Sequence, residues 1–126
     1  MFYYPFYKSF ADGSEAVNYK LTVGPYILII TCLSIPNISR DGGSFSNHNQ
    51  AEFSTKDQDN DTNVRNCSVY YYGSTGWWYK SFADSQLNGK NFGEDVRDLL
   101  KWDQITNKST DTKTLKLSEM MVRRTA

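Results

Sequence analysis

Three aspartates stand at every second position, Asp57, Asp59 and Asp61, and negative charges packed that closely restrict what the chain can do around them. One solution is a solvated turn in which Asp and Asn side chains bond their own backbone. The other is a tight loop that aims several oxygens at one hard cation, which takes about 6–8 oxygen ligands. An EF-hand opens with the same Asp-x-Asp-x-Asp pattern. With Asp57 as its first position, however, the required turn Gly falls on Thr62 and the bidentate Glu on Ser68, so that reading fails at two required positions.

What surrounds the acids decides between the two solutions. The run from Phe53 to Asp61 (FSTKDQDND) is followed by Asn66-Cys67, by Gly76 to Tyr79 (GWWY) and by Leu87 to Gly89 (LNG). In this order and spacing the segments resemble the fibrinogen C-terminal domain shared by fibrinogen chains, ficolins, tachylectins, tenascins and angiopoietins. Several motifs in sequence are far more specific than any one alone. The stretches Asn18 to Gly24, Ser46 to Asn49 and Leu115 to Arg123 resemble that family's lead-in and closing strand.

The resemblance implies an α+β fold, a small antiparallel sheet with long loops. Residues 1–126 correspond to a partial domain without the family's amino-terminal subdomain. It also implies a calcium site: carboxylates from Asp59 and Asp61, carbonyls from Asn63 and Arg65, and Asp57 as a neighbour rather than a ligand. The calcium loop would stiffen a recognition pocket within residues 53–89, contributed by Asn66, Cys67, Trp77, Trp78, Tyr79, Phe82, Ala83 and, further on, Trp102. The bond before the Cys, here Asn66-Cys67, is expected to be cis, at a cost of about 2.5–4 kcal/mol that the surroundings must support.

This chain departs from the family at three positions. The Cys partner of Cys67 falls at Phe82 and the following His at Ala83, so the expected disulfide, worth about 3 kcal/mol for such a loop, cannot form. The second Trp of a Trp-x-x-Trp pair beginning at Trp102 is replaced by Ile105. These losses weigh against an acetyl-sugar pocket.

Other features bound the function. With 126 residues, 39% of them hydrophobic, the chain can bury one core. Its net charge is zero, and no basic stripe with interleaved aromatics suggests nucleic acid. Charge is uneven: Glu52 to Asp61 carries four acids against one lysine, while Lys108 to Ala126 carries five bases against two acids, which reads as a solvated strand. His48, the single histidine, reads as a solvated loop residue. There is no nucleophile elbow, phosphate loop or zinc spacing, so no enzyme is expected.

Cys32 and Cys67 either pair or stay free. Asn-x-Ser/Thr acceptors stand at Asn37, Asn60, Asn66 and Asn107, two of them within the proposed metal loop. No secretory leader is visible at Met1 to Lys8, and Tyr26 to Ile35 is too short to span a bilayer and reads as a buried strand. Residues 25–41 do not resemble the family and are expected to be an atypical insertion or foreign segment.

Alternation predicts strands at Tyr19 to Val23 and Val69 to Tyr72, with a last strand beginning at Leu115 and Leu117. Val96, Leu99 and Leu100 predict a helix over Asp95 to Trp102. The hexapeptide YKSFAD occurs at 7–12 and again at 79–84, and two copies do not make a solenoid. Of Trp77 and Trp78, at least one is expected in the core, because adjacent strand residues face opposite sides.

The expected function is an extracellular, calcium-stiffened recognition domain that binds glycans or acetylated surface groups in innate defence, with possible homo-oligomerisation through regions outside this sequence. The alternatives are an adhesion or matrix module for a protein partner, or an incomplete fragment that does not fold stably.

Overall fold

A computed structural model describes residues 6–27, 43–89, 101–102 and 118–124. Among the described residues the strands form three antiparallel pairs. Strand β1 (Phe6–Tyr7) pairs with β4 (Tyr26–Ile27), β2 (Phe10–Asp12) with β3 (Leu21–Val23), and β5 (Ser85–Gln86) with β6 (Lys101–Trp102). Two short helices, α1 (Gly43–Ser46) and α2 (Cys67–Tyr71), lie between β4 and β5. Small antiparallel ladders, short helices and long loops make this an α+β fold of the expected kind.

The β2–β3 hairpin is set by alternation. Phe10 faces Val23 and Asp12 faces Leu21, and burying Leu21 and Val23 while Thr22 stays exposed fixes the register. The strand begins two residues later than predicted. Asn18 and Tyr19 take left-handed φ values of 51° and 52° as the chain leaves a turn of 3₁₀ helix at Glu15–Val17, which ends extended geometry there.

Two local predictions are corrected. Val69 to Tyr72, rich in β-formers, lies on α2 and its C-cap, because the Asn66 side chain accepts a hydrogen bond from Val69 N and caps the helix start. A local N-cap outweighs weak strand propensity here. Lys101 and Trp102 are strand rather than the end of a helix, since they pair with Gln86 and Ser85. Residues 95–100, Leu115, Leu117, Ile105, Cys32, Asn37 and Asn107 lie outside the described residues. So does the segment 28–41; of the atypical stretch, Tyr26–Ile27 forms β4.

Leu21, Val23, Phe45, Cys67, Tyr72, Trp77, Tyr79 and Ala83 form the buried cluster. Its aromatics meet both tilted and stacked: Phe45 lies 5.9 Å from Trp77 with planes 51° apart, and Tyr72 stacks on Tyr79 at 4.9 Å with planes 10° apart. Gly76 is required by close approach, since a Cβ there would stand 2.9 Å from the Phe53 ring.

Candidate functional site

The acid loop turns on its own side chains. Asp59 Oδ1 accepts from Asp61 N at 3.3 Å, Asp61 Oδ1 from Asn63 N at 2.8 Å, and Asn63 Oδ1 from Arg65 N at 3.0 Å. Each bond spans two residues, so short polar side chains fold the loop where apolar ones have no means to. Asp57 stands apart from this series. Its Oδ1 accepts from the Thr55 hydroxyl at 2.8 Å, and that bond is the main reason its carboxyl is held below the ordinary value.

Further bonds fasten the loop to its neighbours. Asp61 Oδ2 accepts from Cys67 N at 2.8 Å. Asn63 Nδ2 donates to Ser81 O at 2.7 Å, and Thr62 N to Lys80 O at 3.1 Å. Cys67 Sγ reaches Ser81 O at 3.1 Å. Any stiffening of the acid loop is thereby passed to the 80–82 segment that carries Phe82.

Burial, then the bond to Asp61 and the charges of Asp61 and Asp59, push the Cys67 thiol up to about 12. The thiol is free, buried and poorly nucleophilic. Its peptide bond is corrected: no cis peptide occurs among the described residues. In the trans form Asn66 caps α2, and no disulfide partner stands at Phe82 to hold the costlier isomer.

Among the described residues no group of three or more His, Cys, Asp and Glu side chains converges as a metal cluster. Asp59 and Asp61 offer carboxylate oxygens, the hard-oxygen chemistry that suits calcium rather than zinc. Each carboxylate oxygen that accepts one N–H keeps a further lone pair.

The expected pocket residues divide by burial. Cys67, Trp77, Tyr79 and Ala83 are core, and the contact role expected of these four side chains does not fit that burial. Trp77 packs on Phe45 and His48, and its Nε1 has no partner among the described residues. Trp78 is half-buried, edge-on to Phe53 at 5.1 Å, and donates from Nε1 to Tyr19 O at 2.8 Å. Tyr79 Oη donates to Thr75 O at 2.7 Å and meets Gln86 Nε2. Ala83 N donates to Tyr72 Oη at 2.8 Å. The Trp102 side chain lies outside the described residues.

Phe82 remains exposed (55%), beside Tyr71 at 5.2 Å. Near it in the chain fold, α2 exposes Val69 and Tyr70 (57%), and the Arg65 guanidinium lies over the Tyr70 ring at 5.5 Å. The sequence reading missed Val69 and Tyr70 because it placed them on a strand.

His48 is another correction. It is buried, its Nδ1 lies 2.7 Å from Trp78 O, and its Nε2 accepts from Asp84 N and Ser85 N at 3.2 and 3.1 Å. These contacts assign the proton to Nδ1. The ring splints α1 to the Trp78 and Asp84–Ser85 backbone, which a scan for solvated loop histidines overlooks.

Comparison with known proteins places these features in context. Residues 2–125 match the family described as fibrinogen beta and gamma chains, C-terminal globular domain. Chicken (Gallus gallus) tenascin-R is 38% identical over 91 residues, covering 72% of this chain and 6% of that protein. Ryncolin-4 of Cerberus rynchops is 37% identical over 83 residues, covering 66% of this chain and 21% of that protein. The fibrinogen-like globe domains of human ANGPTL6 and ANGPTL2 superpose with a TM-score of 0.61 at 31% and 32% identity, over 78% of this chain and 40% and 42% of theirs. The chain thus spans well under half the length of each.

Proposed function

Because this chain belongs to the fibrinogen C-terminal domain family, a family of recognition and adhesion domains rather than enzymes, we propose that it is an extracellular recognition domain whose contact surface is stiffened by calcium. The observation that carries the reading is the set of bonds from the acid loop to its neighbours. Asp61 holds Cys67 N while Asn63 holds Ser81 O, so an ion on Asp59 and Asp61 would brace α2 and the Phe82 segment together. Calcium supplies positive charge between the two carboxylates, and the chain's own bonds carry that order outward. Among the described residues no helix is long and apolar enough to cross a membrane.

The surface beside the loop offers Phe82, Tyr70, Val69 and Arg65. Exposed rings stack on the apolar face of a sugar, and the leading reading is a lectin-like domain for glycans or acetylated surface groups in innate defence. A second reading, an adhesion or matrix module for a protein partner, draws support from Ala83. It is small and buried where the acetyl-binding relatives carry a His, and exposed aromatics with an Arg are the residues enriched at protein interfaces. Glycan-array binding with and without a chelator separates the two. Calcium-dependent sugar binding supports the lectin reading, and its absence in a folded, calcium-loaded protein rejects it.

A further inference from the structure

Two of the four Asn-x-Ser/Thr acceptors close the acid loop from either side, and both turn their amides inward onto the backbone carbonyls of residues 53–56. Asn60 donates from Nδ2 to Phe53 O at 2.7 Å, and its backbone N donates to Ser54 Oγ at 2.9 Å. Asn66 donates from Nδ2 to Thr55 O at 3.1 Å and toward Lys56 O at 3.5 Å, while its Oδ1 caps α2. The hydroxyl of the Asn66 acceptor motif is also hidden. Ser68 is fully buried, and its Oγ donates to Thr75 O at 2.9 Å.

We propose that closure of the acid loop and N-glycosylation of Asn66 exclude each other, so that Asn66, with Asn60 behind it, is a modification site gated by folding. The inference rests on the extracellular reading, because the transfer occurs in the secretory pathway. There the amide Nδ2 attacks the anomeric carbon of a lipid-diphosphate-linked oligosaccharide. A C–N bond forms, the C–O bond to the diphosphate breaks, one amide proton leaves, and the lipid diphosphate is released. After transfer Asn66 keeps a single N–H facing two carbonyls, and a bulky sugar must occupy the space beside Thr55 and Lys56. The α2 cap and the tie to the Thr55 and Lys56 carbonyls then cannot both persist. Only chains that escape transfer at Asn66 close the loop, and closed chains are no longer acceptors.

The test is cell-free translation of the full chain behind a cleavable leader in endoplasmic-reticulum microsomes, with acceptor sites mapped by mass spectrometry and each glycoform probed by limited proteolysis. A variant carrying Ser39→Ala, Thr62→Ala and Ser109→Ala removes the Asn37, Asn60 and Asn107 acceptor motifs and isolates the effect of Asn66. In a second arm, protein made without glycosylation and already folded is offered to the same microsomal transferase after detergent release. The expected result is transfer to Asn66 in part of the nascent pool, cleavage of those chains within 53–66 about tenfold faster than unmodified chains or more, and no transfer to Asn66 in folded protein. Equal protease resistance of the modified form, transfer to the folded protein, or no modification of Asn66 in nascent chains each overturns the proposal.

Discussion

Replacing Phe82 by Cys tests whether this chain retains the family frame around a position where it has lost the family residue. Cys67 Sγ already lies 3.1 Å from the carbonyl of Ser81, the residue before Phe82, so a thiol at 82 starts beside its partner. The two positions are fifteen apart, and closing a loop of that size is worth about 3 kcal/mol in the chain-entropy model. Against this stands the lost edge contact between Phe82 and Tyr71, about 0.5–1.5 kcal/mol. The exposed ring loses little burial. The net expectation for oxidised Phe82→Cys is a gain of about 2 kcal/mol, or roughly 6–10 °C in Tm for a domain of this size. Thiol titration with calorimetry, with and without reductant, reads both quantities. Thiols that stay free under oxidising conditions, or an oxidised protein that melts no higher than wild type, would refute the reasoning.

The Tyr79 hydroxyl bonds Thr75 and Gln86 inside the core, so Tyr79→Phe removes two hydrogen bonds while Ser68 Oγ and Thr75 Oγ1 still partner Thr75 O and Gln86 Nε2; at about 0.5–1.5 kcal/mol each, denaturant unfolding should show a loss of about 1–3 kcal/mol. Burial pushes Tyr7 up to about 12 and raises Tyr79 as well. A phenol held neutral keeps its proton longer in the folded state than in the unfolded one. The stability it contributes is therefore intact below pH 10 and declines as pH rises from 10 toward 12. Thermal melts across that window, with Tyr7→Phe as control, should show a shallower decline in the variant.

The folding of the acid loop was legible because its hydrogen bonding is local. Asp59, Asp61 and Asn63 each bond the backbone two residues on, a habit of short polar side chains that spacing alone suggests. The hairpin was legible for a similar reason, since Leu21 and Val23 announce their buried face by alternation. What escaped depended on distant partners. Val69 and Tyr70 are the exception, β-formers by type that enter a helix through a local cap from Asn66, three residues before Val69. His48 owes its burial to backbone groups of Trp78, Asp84 and Ser85, some thirty or more positions away in the sequence. Trp77, Tyr79 and Ala83 lie in motifs matched to a contact surface, yet packing draws them into the core and leaves Phe82 outside. Motif spacing located the region, but only packing distinguishes its wall from its face.

The central claim is that Asp59 and Asp61 hold calcium and brace the surface beside them. Its most direct test is isothermal titration of calcium into the full chain alongside an Asp59→Ala, Asp61→Ala double variant, with folding of both checked by circular dichroism. The account predicts saturable binding heat for the wild type and none for the variant. Equal heats from the two proteins, or a folded wild type that gives no heat, would contradict it.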